Sequence, residues 1–169
     1  RVLKPDGHLL VFCGTGWKAQ VIRAIEGPGL TYLWDLIVDT RSAGTQIWDL
    51  KIICVQLSCI VAGRQRSPMG WTRDLLNGSR RQQHANHVWH KGEHETRQVI
   101  ECLCATDNVI LDPFTGGGTI PAVCKQLGRQ WIAYEIDPAT AERARERVRL
   151  TPEPLLVLDA PEPQMELAL

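Results

Sequence analysis

One stretch constrains this chain more than any other: Val109-Ile110-Leu111-Asp112-Pro113-Phe114-Thr115-Gly116-Gly117-Gly118-Thr119. An apolar run ends in an acid, enters a glycine-rich turn and continues as a helix-like segment. A second acid, Glu135, stands nineteen residues beyond Gly116, at the end of the next apolar run. Glycines let the backbone approach a ligand closely, and a carboxylate at a strand end accepts hydrogen bonds from ribose hydroxyls. The layout therefore suits a nucleoside-bearing cofactor. A dinucleotide site would prefer G-x-G-x-x-G, and the third glycine position here holds Pro121.

The surrounding pattern alternates strands and helices. Residues 8–13 form a short apolar strand after the Pro5-Asp6-Gly7 turn, and Thr15 is placed to cap a helix that Gly27-Pro28-Gly29 stops. Residues 30–39 and 51–62 are strand-like. Residues 63–91 show no sustained period and read as one long loop, a length that in compact domains usually carries function. A helix is expected over residues 93–105, with Thr96, Val99, Ile100 and Leu103 on its inner face. Residues 108–111 and 130–134 are strands, with a helix over 117–127 between them. Asp137-Pro138 is an N-cap followed by proline at the first helical position, opening a last helix with Ala141, Ala144 and Val148 inward. Such alternation implies an α/β fold with a mostly parallel sheet covered on both faces.

A chain of 169 residues, 44% of them hydrophobic, suffices for one domain, here expected over residues 1–150. Charges balance at nineteen of each sign, but unevenly along the chain. Residues 63–91 hold six Arg/Lys and one acid, whereas 151–169 hold four acids and no base. The first segment fits a nucleic-acid contact region, and the second a disordered acidic tail. Six scattered cysteines, with no signal peptide or membrane-length apolar run, point to free thiols in a reducing cytoplasm. His84, His87, His90 and His94 are closely spaced, yet no C-x2-C accompanies them, and no metal site is expected.

Asp112 is placed to accept a hydrogen bond from an ammonium, and the backbone N–H groups of Gly116 to Gly118 to approach an amino-acid moiety. Glu135 offers its two oxygens to the ribose hydroxyls.

Residues 107–148 carry a family resemblance: D-x-V-I-L-D-P-F-x-G-G-G-T, a helix, L-G-R, an aromatic-rich strand, then E-x-D-P before a charged helix. This resembles the amino-methylating (adenine-N6 and cytosine-N4) DNA methyltransferases. The resemblance implies a Rossmann-like methyltransferase sheet and S-adenosyl-L-methionine as cofactor, held by Asp112, Pro113, Phe114, Gly116, Gly118, Thr119 and Glu135. His87-Val88-Trp89 resembles the family element just before the cofactor strand, which makes His87 a further pocket residue. The strand at 8–13 is similar to the one that follows the family's catalytic segment. With the basic loop preceding the cofactor motif, the order resembles the permuted group whose target-recognition segment comes first. That makes Arg64, Arg66, Arg73, Arg80 and Arg81 contacts for double-stranded DNA, with Trp71 available for stacking.

The family's catalytic tetrapeptide, (Asp/Asn/Ser)-Pro-Pro-aromatic, does not occur, as the chain has no Pro-Pro pair. We expect it upstream of Arg1, so the sheet is expected to be incomplete at its N-terminus and the chain inactive alone. No catalytic residue is assigned. Cytosine-C5 chemistry is disfavoured, because it uses a cysteine usually preceded by proline and no Pro-Cys occurs. The resemblance implies DNA methylation in a prokaryotic or phage setting, as in restriction-modification. Two alternatives stay open: a methyltransferase acting on RNA or a small molecule, and a non-catalytic module that binds DNA or cofactor.

Overall fold

The computed structural model describes residues 2–39, 45–64, 73–78 and 92–154. Strand β1 (His8–Cys13) leads through a 3-10 turn to helix α1 (Lys18–Glu26), then β2 (Thr31–Asp39). A short hairpin follows, β3 (Thr45–Ile47) with β4 (Ile52–Cys54), before β5 (Gln56–Gly63) and β6 (Leu75–Asn77). Helix α2 (Glu93–Leu103), strand β7 (Val109–Asp112), helix α3 (Thr119–Gln126), strand β8 (Gln130–Ala133) and helix α4 (Pro138–Leu150) complete the described chain.

The larger sheet has the order β1-β5-β2-β6, and β7 pairs with β8 separately. The expectation of a mostly parallel sheet needs correction. Strand β5 runs antiparallel to both of its neighbours, and only β2–β6 and β7–β8 are parallel. The reason lies in the connection. Among the described residues no α-helix intervenes between β2 and β5, so the chain returns through the β3–β4 hairpin, with its 3-10 turn at Trp48–Leu50, and reverses direction.

Three further expectations change. Residues 51–62 make two strands rather than one: β4 pairs with β3 and β5 joins the larger sheet, a break at Val55 that no glycine or proline marks. The loop expected over 63–91 contains β6, where Leu76 is buried in the core between exposed Leu75 and Asn77. Thr15 caps nothing through its side chain; its hydroxyl meets the Cys54 thiol instead, 3.5 Å away.

The core has two layers against the sheet and a third beside it. Leu36, Val38, Cys59, Val61 and Leu76 pack on Val99 and Leu103 of α2. On the opposite face Ile60 and Ala62 pack on Ile25 of α1. Ile100 of α2 continues into a cluster with Val123 and Cys124 of α3, against which Ile110 of β7 packs. Helix α2 thus bridges the larger sheet and the β7–β8 pair. All four residues expected on its inner face are buried. Burial pushes the Cys124 thiol up to about 12, with Cys104 and Asp112 adding to the effect. That cysteine therefore stays a neutral core residue at physiological pH.

Candidate cofactor site

Strand β7 delivers Asp112 to the start of the turn, and parallel β8 brings its own end alongside, with Asp112 opposite Ala133. The Tyr134 N–H donates to the Asp112 carbonyl (2.9 Å), and the Thr115 N–H donates to the Tyr134 carbonyl (2.9 Å). These bonds tie the glycine turn to the segment that follows β8. The Asp112 side chain is buried, 7% exposed, and accepts the Phe114 N–H at 3.3 Å.

Two glycines adopt left-handed backbone for different reasons. Gly116 has φ +52°, and a β-carbon there would point into open space. Gly118 has φ +74°, and a β-carbon would stand 3.0 Å from the Ala144 β-carbon and 3.1 Å from its α-carbon. Gly118 therefore serves the close approach of α4, while Gly116 leaves room above the turn.

Sequence separation vanishes at Glu135. Its Oε2 accepts the Gly116 N–H at 2.9 Å, and its Oε1 accepts the Asp137 N–H at 3.0 Å. The carboxyl is held below the usual carboxylate range, mainly by the Asp137 N–H. Burial opposes this, and the N–H groups of Gly116 and Ile136 reinforce it. An ionised carboxylate oxygen takes two hydrogen bonds, so each oxygen keeps acceptor capacity for a ligand. Asp137 also accepts the Thr140 N–H at 2.7 Å, the N-cap expected from Asp137-Pro138.

Glu135 lies in an open cleft of about 410 Å³, lined by Pro113, Phe114, Tyr134, Glu135 and Ile136. Phe114 is 87% exposed, Tyr134 61% and Ile136 97%. Large apolar side chains this bare, gathered around one carboxylate, form a surface suited to a flat apolar ring next to a polar group. Of the residues lining this cleft, the sequence reading named Pro113, Phe114 and Glu135 and left out Tyr134 and Ile136, although both flank the acid in sequence. The Thr115 hydroxyl is buried at the turn without a hydrogen-bond partner in the described chain. That orphan acceptor and donor fits a polar ligand group arriving there.

Other expected contacts sit differently. The Gly116 and Gly118 N–H groups are taken by Glu135 and by the Thr115 carbonyl (2.9 Å), so they shape the turn. Thr119 is buried as the first residue of α3, and its hydroxyl accepts Arg147 Nη1 at 2.9 Å. Arg64 and Arg73 are exposed at either side of an undescribed stretch. Arg66, Trp71, Arg80, Arg81, His84, His87 and His90, and the tail from residue 155, lie outside the described residues. Residues 151–154 are described, and Glu153 pairs with Lys125 at 3.3 Å.

The architecture is the Rossmann-like methyltransferase fold. The chain resembles the solved M1.HpyAVI–SAM complex with a TM-score of 0.73 at 18% identity, over 87% of this chain and 76% of that one. It also resembles PvuII DNA methyltransferase, described as cytosine-N4-specific, with a TM-score of 0.74 at 18% identity, over 86% and 64%. In sequence, residues 45–146 match the N6/N4 family described as DNA methylase, and the chain belongs to that family. The type II methyltransferase M.HpaI of Haemophilus parainfluenzae is 25% identical over 175 residues, 88% of this chain and 55% of that protein. M.HinfI of Haemophilus influenzae is 34% identical over 83 residues, 47% of this chain and 23% of that protein. The chain thus spans about half the length of M.HpaI, and less of M.HinfI.

Proposed function

We propose that this chain is the cofactor-binding part of a DNA methyltransferase that uses S-adenosyl-L-methionine to methylate adenine N6 or cytosine N4. One observation carries the reading: the Gly116 N–H donates to Glu135 and fixes its carboxylate in a cleft walled by Phe114, Tyr134 and Ile136. Glu135 would receive the ribose hydroxyls, the exposed apolar side chains the adenine ring, and Asp112 with Thr115 the amino-acid end. The cofactor supplies a methyl carbon made electrophilic by its sulfonium. The residues present hold the cofactor and exclude water from its apolar parts, leaving the acceleration to positioning against the target amine.

Double-stranded DNA is the proposed partner, in keeping with the type II methyltransferase names of the relatives. Those names also favour a restriction-modification role in the cytoplasm of a prokaryote. Among the described residues no helix is long and apolar enough to cross a membrane. Arg64 and Arg73, together with Arg66, Arg80 and Arg81, are the proposed DNA contacts, because their charges cluster in one stretch almost free of acids. His87 remains a proposed pocket residue.

Calorimetric titration of S-adenosylhomocysteine into the full chain tests the site. Glu135→Ala should weaken binding about ten- to a hundredfold, the range for lost hydrogen bonds to a charged group. Wild-type affinity in a Glu135→Ala protein with a native circular dichroism spectrum would remove the cofactor assignment.

A further inference from the structure

Arg147 lies on α4 among other charged residues, and its partners are far away in sequence. Nη1 donates to the Gly117 carbonyl at 3.1 Å and to the Thr119 hydroxyl at 2.9 Å, while Nη2 donates to Glu93 Oε1 at 2.7 Å. One planar group thus joins the middle of the glycine turn, the first residue of α3 and the first residue of α2. Three residues earlier on α4, Ala144 closes against Gly118. Residues three apart share a helix face, so α4 presses on the turn at one point and grips it at the next.

The placement is electrostatically unfavourable by itself. The N-terminus of α3 carries partial positive charge, which repels a cation. The Glu93 carboxylate offsets this, and the Arg147 side chain, 26% exposed, is screened less than a free surface charge. An ammonium is a point donor and cannot match the fork that reaches three acceptors on separate elements.

We propose that Arg147 is a positioning residue for the glycine turn, coupling the cofactor-binding conformation of residues 116–118 to the docked position of the α2 N-terminus. Gly92 and Glu93 directly follow the basic stretch in sequence, so any event there that shifts the start of α2 reaches the turn through this guanidinium. The consequence for ligand affinity rests on the cofactor reading above; the effect on turn geometry does not.

The test uses the full chain with 15N-labelled glycine. Arg147→Met should shift the Gly116, Gly117 and Gly118 amide signals and weaken S-adenosylhomocysteine binding about tenfold. Its ligand-free melting temperature should fall by no more than about 5 °C. Arg147→Lys should not recover either the signals or the affinity. Should Arg147→Met fail to fold, Glu93→Ala removes a half-exposed partner without touching the core and should move the same signals to a smaller extent. Wild-type glycine signals in the folded variants would overturn the proposal. Shifted signals in a protein whose wild type binds no S-adenosylhomocysteine would sink the cofactor reading and leave the positioning role standing.

Discussion

The turn after β7 is held by bonds of both short and long sequence range, whereas the four-stranded sheet is held by long-range pairing alone. Around the turn, bonds between near neighbours (Phe114 to Asp112, Gly118 to Thr115, Asp137 to Glu135 and Thr140 to Asp137) are joined by bonds from Tyr134, Glu135 and Arg147 that span 19 to 30 positions. In the sheet, Val61 sits between Leu10 and Trp34, partners brought from two distant segments. Exposure differs too. Ile60, Val61 and Ala62 are fully buried, whereas the cleft presents Phe114 and Ile136 almost bare. A web of polar bonds can hold a ligand-facing surface open, while burial of apolar side chains stabilises the domain beneath it.

The largest effect should come from the sheet. Ile60 is 0% exposed and packs on α1, so Ile60→Ala forfeits transfer energy and leaves a cavity. We expect a loss of about 2–5 kcal/mol in urea unfolding. Under native conditions S-adenosylhomocysteine affinity should change less than about twofold, since Ile60 lies outside the turn's bonds. A parallel collapse of affinity in the folded variant would break the contrast between the two regions.

A smaller effect separates two residues within the turn. Gly116→Ala and Gly118→Ala both place a β-carbon on left-handed backbone, at a cost of about 1–2 kcal/mol each. Only Gly118→Ala also meets Ala144, which adds about 1–3 kcal/mol of overpacking. Thermal unfolding should therefore rank Gly118→Ala below Gly116→Ala. Equal stabilities would mean that α4 moves aside and does not press on the turn.

The same contrast sets what was legible in the sequence. The strand, turn and helix around Gly116, the Asp137 cap and the inner face of α2 rest on short-range chemistry, and the structure contains them all. Strand order was less accessible. The β5 insertion depends on how the chain returns after β2, and three-residue β6 is too short for its alternation to stand out from a polar stretch. At the site, the Glu135 spacing was readable, and Glu135 does reach Gly116. The use of glycine N–H groups was not, because a carboxylate of the chain itself takes one of them. Arg147 could not be found either: an arginine on a charged helix face looks solvated until residues 28 to 54 positions away arrive beside it.

The smallest effect on stability should come from the most conspicuous side chain. Phe114 is 87% exposed, so removing its ring forfeits little burial, and Phe114→Ala should change unfolding free energy by no more than about 0.5 kcal/mol. Its backbone N–H still donates to Asp112, so the turn keeps that bond after truncation. The ring's expected work is with the ligand. Stacking of a base on an aromatic side chain is worth about 1–3 kcal/mol, so S-adenosylhomocysteine should bind about five- to a hundredfold more weakly. Adenosine, which keeps the ring and loses the amino-acid end, should lose affinity by the same factor. If the variant loses stability instead and keeps its affinity, Phe114 belongs to the fold, and the division between a buried sheet and an open cleft does not hold at this residue.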